Sequence, residues 1–267
     1  MEVANVDNRI VVITGANNGI GLAMTQALLE MGNRVAGLDL STDNLDAIQR
    51  DEGRLRSYVC DVTDRERVEH VVRDVLEAWG GVDVLVNNAC LAIFKPYLER
   101  APEETRREFE VNYFGYLNVI DAVLPAMREQ GHGVIHNVSS GVGITGYPGI
   151  SGYASTKGAI EALTRALALE LEPLGITVNL MHPPLTRTQS SAPLGVPPEM
   201  MADPAEVGRK LARRVGKTAP VLTPDLGTAL GLTVNRCFPV GMGRFLAKMA
   251  KRAEERSENQ ESREGSR

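Results

Sequence analysis

Ser140, Tyr153 and Lys157 are the residues whose types and spacing can move a proton. Tyr153 and Lys157 stand at i and i+4, so a helix puts them on one face about one turn apart. A free phenol, with a pKa near 10, is a poor base at neutral pH. An ammonium about 5 Å away, at an effective dielectric of about 20, favours the phenolate by roughly 3 kcal/mol, or about two pKa units. That brings the phenol into the range of general acid–base work. A Tyr-x-x-x-Lys pair alone is common on solvated helix faces. Its weight here comes from the apolar run before it, Val134-Ile135-His136-Asn137-Val138, which ends at Ser139-Ser140.

A second group of residues suits phosphate. Thr14-Gly15-Ala16-Asn17-Asn18-Gly19-Ile20-Gly21 lies between an apolar run and a helical pattern. Glycines let backbone amides approach a pyrophosphate, and the following helix offers unpaired donors with a favourable dipole. The spacing is not the common G-x-G-x-x-G, and three glycines alone can equally be a plain turn. Asp39, eighteen residues after Gly21, sits where an adenosine ribose would lie. Its carboxylate can accept from the 2′- and 3′-hydroxyls and would repel a 2′-phosphate; otherwise it is an exposed strand-end Asp. No Lys or Arg lies inside the glycine turn or shortly after Asp39. NAD(H) is therefore preferred over NADP(H). Asp61-Val62 is placed to touch the adenine, unless Asp61 is a helix cap.

These residues need a scaffold. Short β-branched runs at 9–14, 34–38, 55–59, 82–87, 134–138 and 176–180 alternate with helical patterns at about 20–31, 43–50, 68–79, 103–130 and 153–173. That rhythm predicts parallel βαβ units, hence an α/β fold with a doubly wound parallel sheet of Rossmann type. One domain is expected over residues 1–256. Six prolines between 183 and 204 predict a long substrate loop, followed by a helix near Val207–Val215 and an edge strand at 220–222. Residues 225–256 read as a C-terminal helical segment and 257–267 as a flexible charged tail.

The 267 residues carry 29 basic and 34 acidic side chains, for a net charge of −5. That balance, with no dense basic stripe, argues against nucleic-acid binding. Cys60, Cys90 and Cys237 are too few and too scattered for a disulfide framework or a metal site, which fits a reducing cytoplasm. No signal peptide and no transmembrane segment are expected.

Taken together, the motifs resemble those of the short-chain dehydrogenase/reductase family, in its compact single-domain branch. The resemblance rests on T-G-x-x-x-G-x-G at Thr14–Gly21, Asp61-Val62, Asn87-Asn88-Ala89, Asn112, Ser140, Tyr153-x-x-x-Lys157, and Asn179 through Thr188. It implies that Tyr153 exchanges a proton with the substrate oxygen, with Lys157 lowering its pKa and holding the nicotinamide ribose. It also implies that Ser140, rather than Ser139, hydrogen-bonds the substrate, and that Asn112 positions a water linking Lys157 to solvent. Asn88-Ala89 would line the cofactor, with Thr186 and Thr188 at its nicotinamide end. Assembly as a homodimer or homotetramer through two long helices is a further implication.

The sequence departs from the family pattern in three places. Cys90 and Pro184 stand where glycines are usual, with Cys90 read as a small packed residue beside the cofactor site. The apolar stretch from Leu226 to Met249 replaces the usual glycine-rich ending. A helix closing the domain, a cover over an apolar substrate, a partner interface and a peripheral membrane contact all fit it. His182 reads as packed or exposed rather than catalytic. Leu91, Ile93, Phe94, Val142, Ile144 and Tyr147 should wall the substrate, so a hydrophobic alcohol or ketone is expected. A 3-oxoacyl thioester or a polyol is the alternative. A cofactor-sensing scaffold without turnover is the reading from another class.

Overall fold

The computed structural model describes residues 8–48, 53–194, 196 and 198–249. Its frame is a parallel sheet of β1 (Ile10–Thr14), β2 (Arg34–Asp39), β3 (Leu55–Val59), β4 (Val84–Asn87), β5 (Gly133–Val138), β6 (Ile176–Met181) and β7 (Val221–Leu222). The strands stand in the order β3-β2-β1-β4-β5-β6-β7. All five residues of β1 and all four of β4 are buried, as a strand covered on both faces requires. The expected strands are all present, with ends shifted by a residue or two.

Helices cover both faces. On one, α1 (Gly19–Glu30) and α8 (Pro204–Ala212) supply Met24, Ala27, Leu28, Val207 and Leu211 against Val11, Ile13 and Val86. On the other, α3 (Arg65–Trp79) and α5 (Gly115–Gln130) supply Val68, Val71, Val72, Val75, Val119, Ile120, Val123 and Met127 against Val12, Leu85 and Ile135. Asp64 caps α3 by accepting from the Arg67 N–H at 3.0 Å, and Gly80 ends it in a left-handed turn with φ +85°. Short helix α2 (Asp43–Asp46) is half the length expected, and residues 49–50 of that expectation lie outside the described residues. The tail at 257–267 also lies outside them.

The helical run expected at 103–130 is not uniform. It consists of α4 (Pro102–Phe109), a π turn at Glu110–Phe114, and α5. The extra residue of the π turn sends Asn112 inward, where it is fully buried. Short α6 (Val142–Thr145) follows β5, and α7 (Ser151–Leu171) packs on β6. Beyond β7 come α9 (Leu226–Cys237) and a second helical stretch at 239–249.

Between β1 and β4 the strand order reverses direction. The carboxyl ends of strands at such a point leave a crevice, and that crevice positions the site.

His136, buried in β5, donates from Nδ1 to Asn179 and accepts the Gly216 N–H on Nε2 at 2.8 Å. Burial holds its imidazole neutral and pulls its pKa down to about 4. The unfolded chain therefore binds more protons between that value and the ordinary 6.5, so acid favours unfolding across this window. Urea denaturation should show a stability contribution of about 3 kcal/mol that is intact above pH 6.5 and lost as pH falls toward 4. His136→Gln should flatten that part of the profile.

Candidate active site

The glycine turn is held by close contacts that exclude side chains. Gly15 (φ +65°) lies so near β4 that an added Cβ would stand 2.8 Å from the Ala89 Cα. Gly21 is buried in α1 against the Gly15 carbonyl, 2.0 Å from where its Cβ would be. Asn88 ties the turn down, its Nδ2 donating to the Thr14 and Gly15 carbonyls at 3.0 Å each. The Thr14 hydroxyl accepts the Asn88 and Ala89 N–H groups, also at 3.0 Å.

Asp39 closes the other side, with Oδ2 accepting from the Asn17 N–H at 2.8 Å and Oδ1 from Leu40 at 2.7 Å. Asp61 accepts from the Thr63 N–H and hydroxyl at 2.9 and 2.8 Å, a local turn that leaves it on the cavity wall.

Tyr153 and Lys157 both rise from the first turns of α7. The Lys157 ammonium is buried, donates to the Val138 carbonyl at 2.8 Å and to the Tyr116 hydroxyl at 3.3 Å, and lies 5.6 Å from the centre of the Tyr153 ring. The Ser140 side chain stands beside the Tyr153 phenol and favours its ionised form, whereas Ser139 is buried and its hydroxyl donates to the Lys157 carbonyl at 3.4 Å.

The expected lowering of the phenol's pKa by Lys157 does not appear in this geometry. Burial raises Tyr153, the nearby Cys90 and Glu108 add to that, and only Ser140 opposes them. Lys157 is itself pushed below the usual lysine range by burial, and its hydrogen bonds go to Val138 and Tyr116 rather than to the phenol.

A cavity of about 910 Å³ joins these groups. Gly15, Asn18, Gly19, Ile20, Asp39, Asp61, Val62, Asn88, Ala89, Ser140, Tyr153, Lys157, Thr186 and Thr188 all line it. Three expected site residues do not. Asn17 turns inward, and its Oδ1 caps α2 by accepting from the Asn44 and Leu45 N–H groups at 2.9 and 3.1 Å. Gly21 serves packing. Asn112 clamps Leu91, accepting from its N–H at 2.7 Å and donating to its carbonyl at 2.8 Å. The second amide hydrogen of Asn112 goes to the Thr156 hydroxyl at 3.0 Å, so both side-chain donors are spent. That carboxamide holds the wall of the site at Leu91.

The model of the short chain dehydrogenase family matches residues 9–196. The chain belongs to the short-chain dehydrogenase/reductase family. It is 36% identical over 187 residues to the 3-oxoacyl-[acyl-carrier-protein] reductase FabG of Thermotoga maritima, covering 68% of this chain and 76% of that one.

Among solved structures, the 3-ketoacyl-(acyl-carrier-protein) reductase of Brucella melitensis complexed with NADH aligns with a TM-score of 0.72 at 26% identity, covering 82% and 95% of the two chains. A gluconate 5-dehydrogenase of Burkholderia cenocepacia in complex with NADP and tartrate aligns with a TM-score of 0.75 at 27% identity, covering 84% and 96%. The protein is thus an oxidoreductase acting on CH–OH groups with NAD(P), and its sheet is the Rossmann type of that family.

The residues present suit that cofactor. An added Cβ on Gly19 would meet the Thr188 Cγ2 at 3.1 Å, so the turn is a cradle only glycine keeps open, and the first turn of α1 carries no acid to repel phosphate. Among the described residues no cluster suits a metal ion.

Other features of this dehydrogenase escaped the sequence reading. Buried Glu108 and Arg100 pair at 2.5 Å and grip Ile93: the Ile93 N–H donates to Glu108 at 2.8 Å, and Arg100 donates to the Ile93 carbonyl at 2.6 Å. Cys90, expected to be packed, is exposed on the cavity wall near Tyr153. His182 is buried, with Nε2 2.6 Å from Glu161 of α7, and also lines the cavity. Of the expected substrate wall, Leu91, Phe94, Val142 and Tyr147 line it, whereas Ile93 and Ile144 do not. Leu194, Val196, Leu232 and Leu246 complete the apolar lining from the loop and the C-terminal helices.

Proposed function

We propose that this dehydrogenase interconverts a hydrophobic secondary alcohol and its ketone, a steroid-, terpenoid- or lipid-like molecule, with NAD(H) preferred over NADP(H). One observation carries the reading: a single cavity is lined by the glycine turn with Asp39, by the Ser140–Tyr153–Lys157 trio, and by a set of apolar side chains. The bound nicotinamide supplies or accepts the hydride. Tyr153 gives its proton to the carbonyl oxygen in reduction, or takes it from the alcohol in oxidation. Ser140 holds that oxygen in line, and Lys157 holds the nicotinamide ribose.

Gly15, Asn18, Gly19 and Ile20 take the pyrophosphate, Asp39 the adenosine ribose, and Asp61 and Val62 the adenine. Asn88, Ala89, Thr186 and Thr188 take the nicotinamide end, with the loop at 183–204 and the segment from 225 closing over the substrate. Two cations near that loop are engaged elsewhere, Lys95 with Glu104 at 3.2 Å and Arg187 with Asp203 at 3.5 Å. Neither lines the cavity, and although the exposed Arg107 does, the preponderance of apolar side chains on its wall favours an apolar substrate. The protein works in the cytoplasm as a homodimer or homotetramer built through α5 and α7, whose Leu169 is exposed.

A second reading, reduction of a 3-oxoacyl thioester, draws on the likeness to the Thermotoga and Brucella reductases. A panel of hydrophobic alcohols, polyols and 3-hydroxyacyl thioesters, offered with NAD⁺ and with NADP⁺ and followed by reduced-nicotinamide absorbance, separates them. Turnover confined to thioesters overturns the hydrophobic-alcohol reading. Turnover confined to NADP⁺ overturns the cofactor preference. Asp39→Ala should narrow the ratio of KM values for NADP⁺ and NAD⁺ by about tenfold, the ratio being read because loss of the Asn17 contact weakens both. An unchanged ratio removes Asp39 from the ribose site.

A further inference from the structure

The helices that cover the cavity mouth carry exposed apolar side chains as well as cavity-lining ones. On α9, Thr228, Gly231, Leu232 and Asn235 turn toward the cavity. The opposite side carries Leu226, Leu230 and Val234 at i, i+4 and i+8, exposed by 88%, 68% and 36%. In the helical stretch 239–249 Leu246 lines the cavity and the cations Arg244 and Lys248 lie on the opposite side; Val240, Phe245 and Met249 are exposed on its flanks, and Phe238 is exposed at the joint. Both helices are fixed in place. A Cβ on Gly243 would stand 2.5 Å from the Thr145 carbonyl of α6, and Arg236 of α9 reaches Glu161 of α7 at 3.3 Å. A domain-closing helix has its apolar stripe inward and a polar face outward. Here seven large apolar side chains along the two helices are exposed instead.

The charge on this stretch is one-sided. Within the face itself, residues 226–249, the charged residues are Arg236, Arg244 and Lys248, with Asp225 just before it and Lys251, Arg252, Glu254 and Glu255 just after it in the sequence. Arg236 is spent on Glu161; Arg244 and Lys248 are exposed beside Phe245 and Met249. Long cationic side chains interleaved with apolar anchors match the boundary between acyl chains and anionic headgroups. A two-fold contact with a second copy would bring this cationic stretch against itself.

We propose that the outer face of α9 and residues 238–249 docks on an anionic phospholipid surface, which sets the mouth of the cavity against the membrane. The proposal does not depend on the substrate reading, since it concerns the side of these helices turned away from the cavity.

The full-length protein should co-sediment with vesicles of phosphatidylcholine containing about a third phosphatidylglycerol, and far less with phosphatidylcholine alone. Added salt should weaken the association. Arg244→Glu with Lys248→Glu should weaken it by about tenfold or more, and so should Leu230→Asp with Phe238→Asp, with circular dichroism unchanged. Absence of binding to the anionic vesicles overturns the proposal, as does binding that neither double substitution moves. It is also overturned if Leu230→Asp with Phe238→Asp sediments as a smaller species than the parent, which assigns the face to a subunit contact.

Discussion

Tyr153→Phe is expected to lower kcat by about 10²- to 10⁴-fold while changing nucleotide affinity by less than about threefold. The substitution keeps the ring that packs near Lys157 and deletes only the hydroxyl, the group beside Ser140 to which the proton transfer is assigned in the proposed mechanism. Burial raises the phenol above its ordinary range, so at neutral pH it holds its proton. Ketone reduction uses the protonated form and should be level through neutral pH, falling only in strong alkali. Alcohol oxidation uses the phenolate and should climb steadily with pH. Both dependences should vanish in Tyr153→Phe. Stopped-flow measurement of hydride transfer in each direction, beside nucleotide binding by fluorescence, tests this. Equal loss of turnover and of nucleotide affinity would contradict the role given to the hydroxyl.

Features of the fold that depend on neighbours in sequence could be read from the chain. β1, the glycine turn and α1 are contiguous, and their apolar period and glycine spacing already dictate a strand, a cradle and a helix. Tyr153 and Lys157 share a helix face for the same reason. Features that depend on distant partners were not legible. Asn17 looks like a phosphate-loop residue, but its side chain points inward because the N-terminus of α2, 27 residues later, offers two unpaired amides. Asn112 falls in a helical pattern, and only the π turn sends it to Leu91.

Arg100 precedes α4 and Glu108 stands in its last turn, eight residues on, too far apart to signal a local pair. The burial of the pair follows from the packing of α4 on α7, which no local pattern announces. In the C-terminal stretch, cavity-lining and exposed apolar side chains read along the chain as a single apolar run. Several readings therefore fitted it, a domain-closing helix first among them, and only the structure distinguishes the residues that line the cavity from those left exposed.

Lys157→Met should separate activity from stability in the opposite sense to most buried substitutions. The loss in kcat should reach about 10²-fold or more, and, unlike Tyr153→Phe, the KM for nucleotide should rise as well, because the ammonium is assigned both to the proton site and to the ribose. Stability should not fall with it. Burial disfavours the charged amine, so its folded pKa is depressed below that of the unfolded chain. Proton binding therefore favours unfolding, and this cost is fully present at pH values below the depressed pKa, fading as pH rises through it.

Methionine fills a similar volume without a charge, and the acceptor it abandons is not orphaned: the Val138 carbonyl still receives the Tyr116 hydroxyl at 3.2 Å. The variant should thus unfold at the same or a higher temperature than the parent at pH 7, the trade of stability for chemistry expected where a charge is buried to act on a reaction. Calorimetry alongside steady-state kinetics decides it. A Tm drop accompanying the lost turnover would make Lys157 a structural clamp on Val138 and Tyr116 instead of a participant in the proton site.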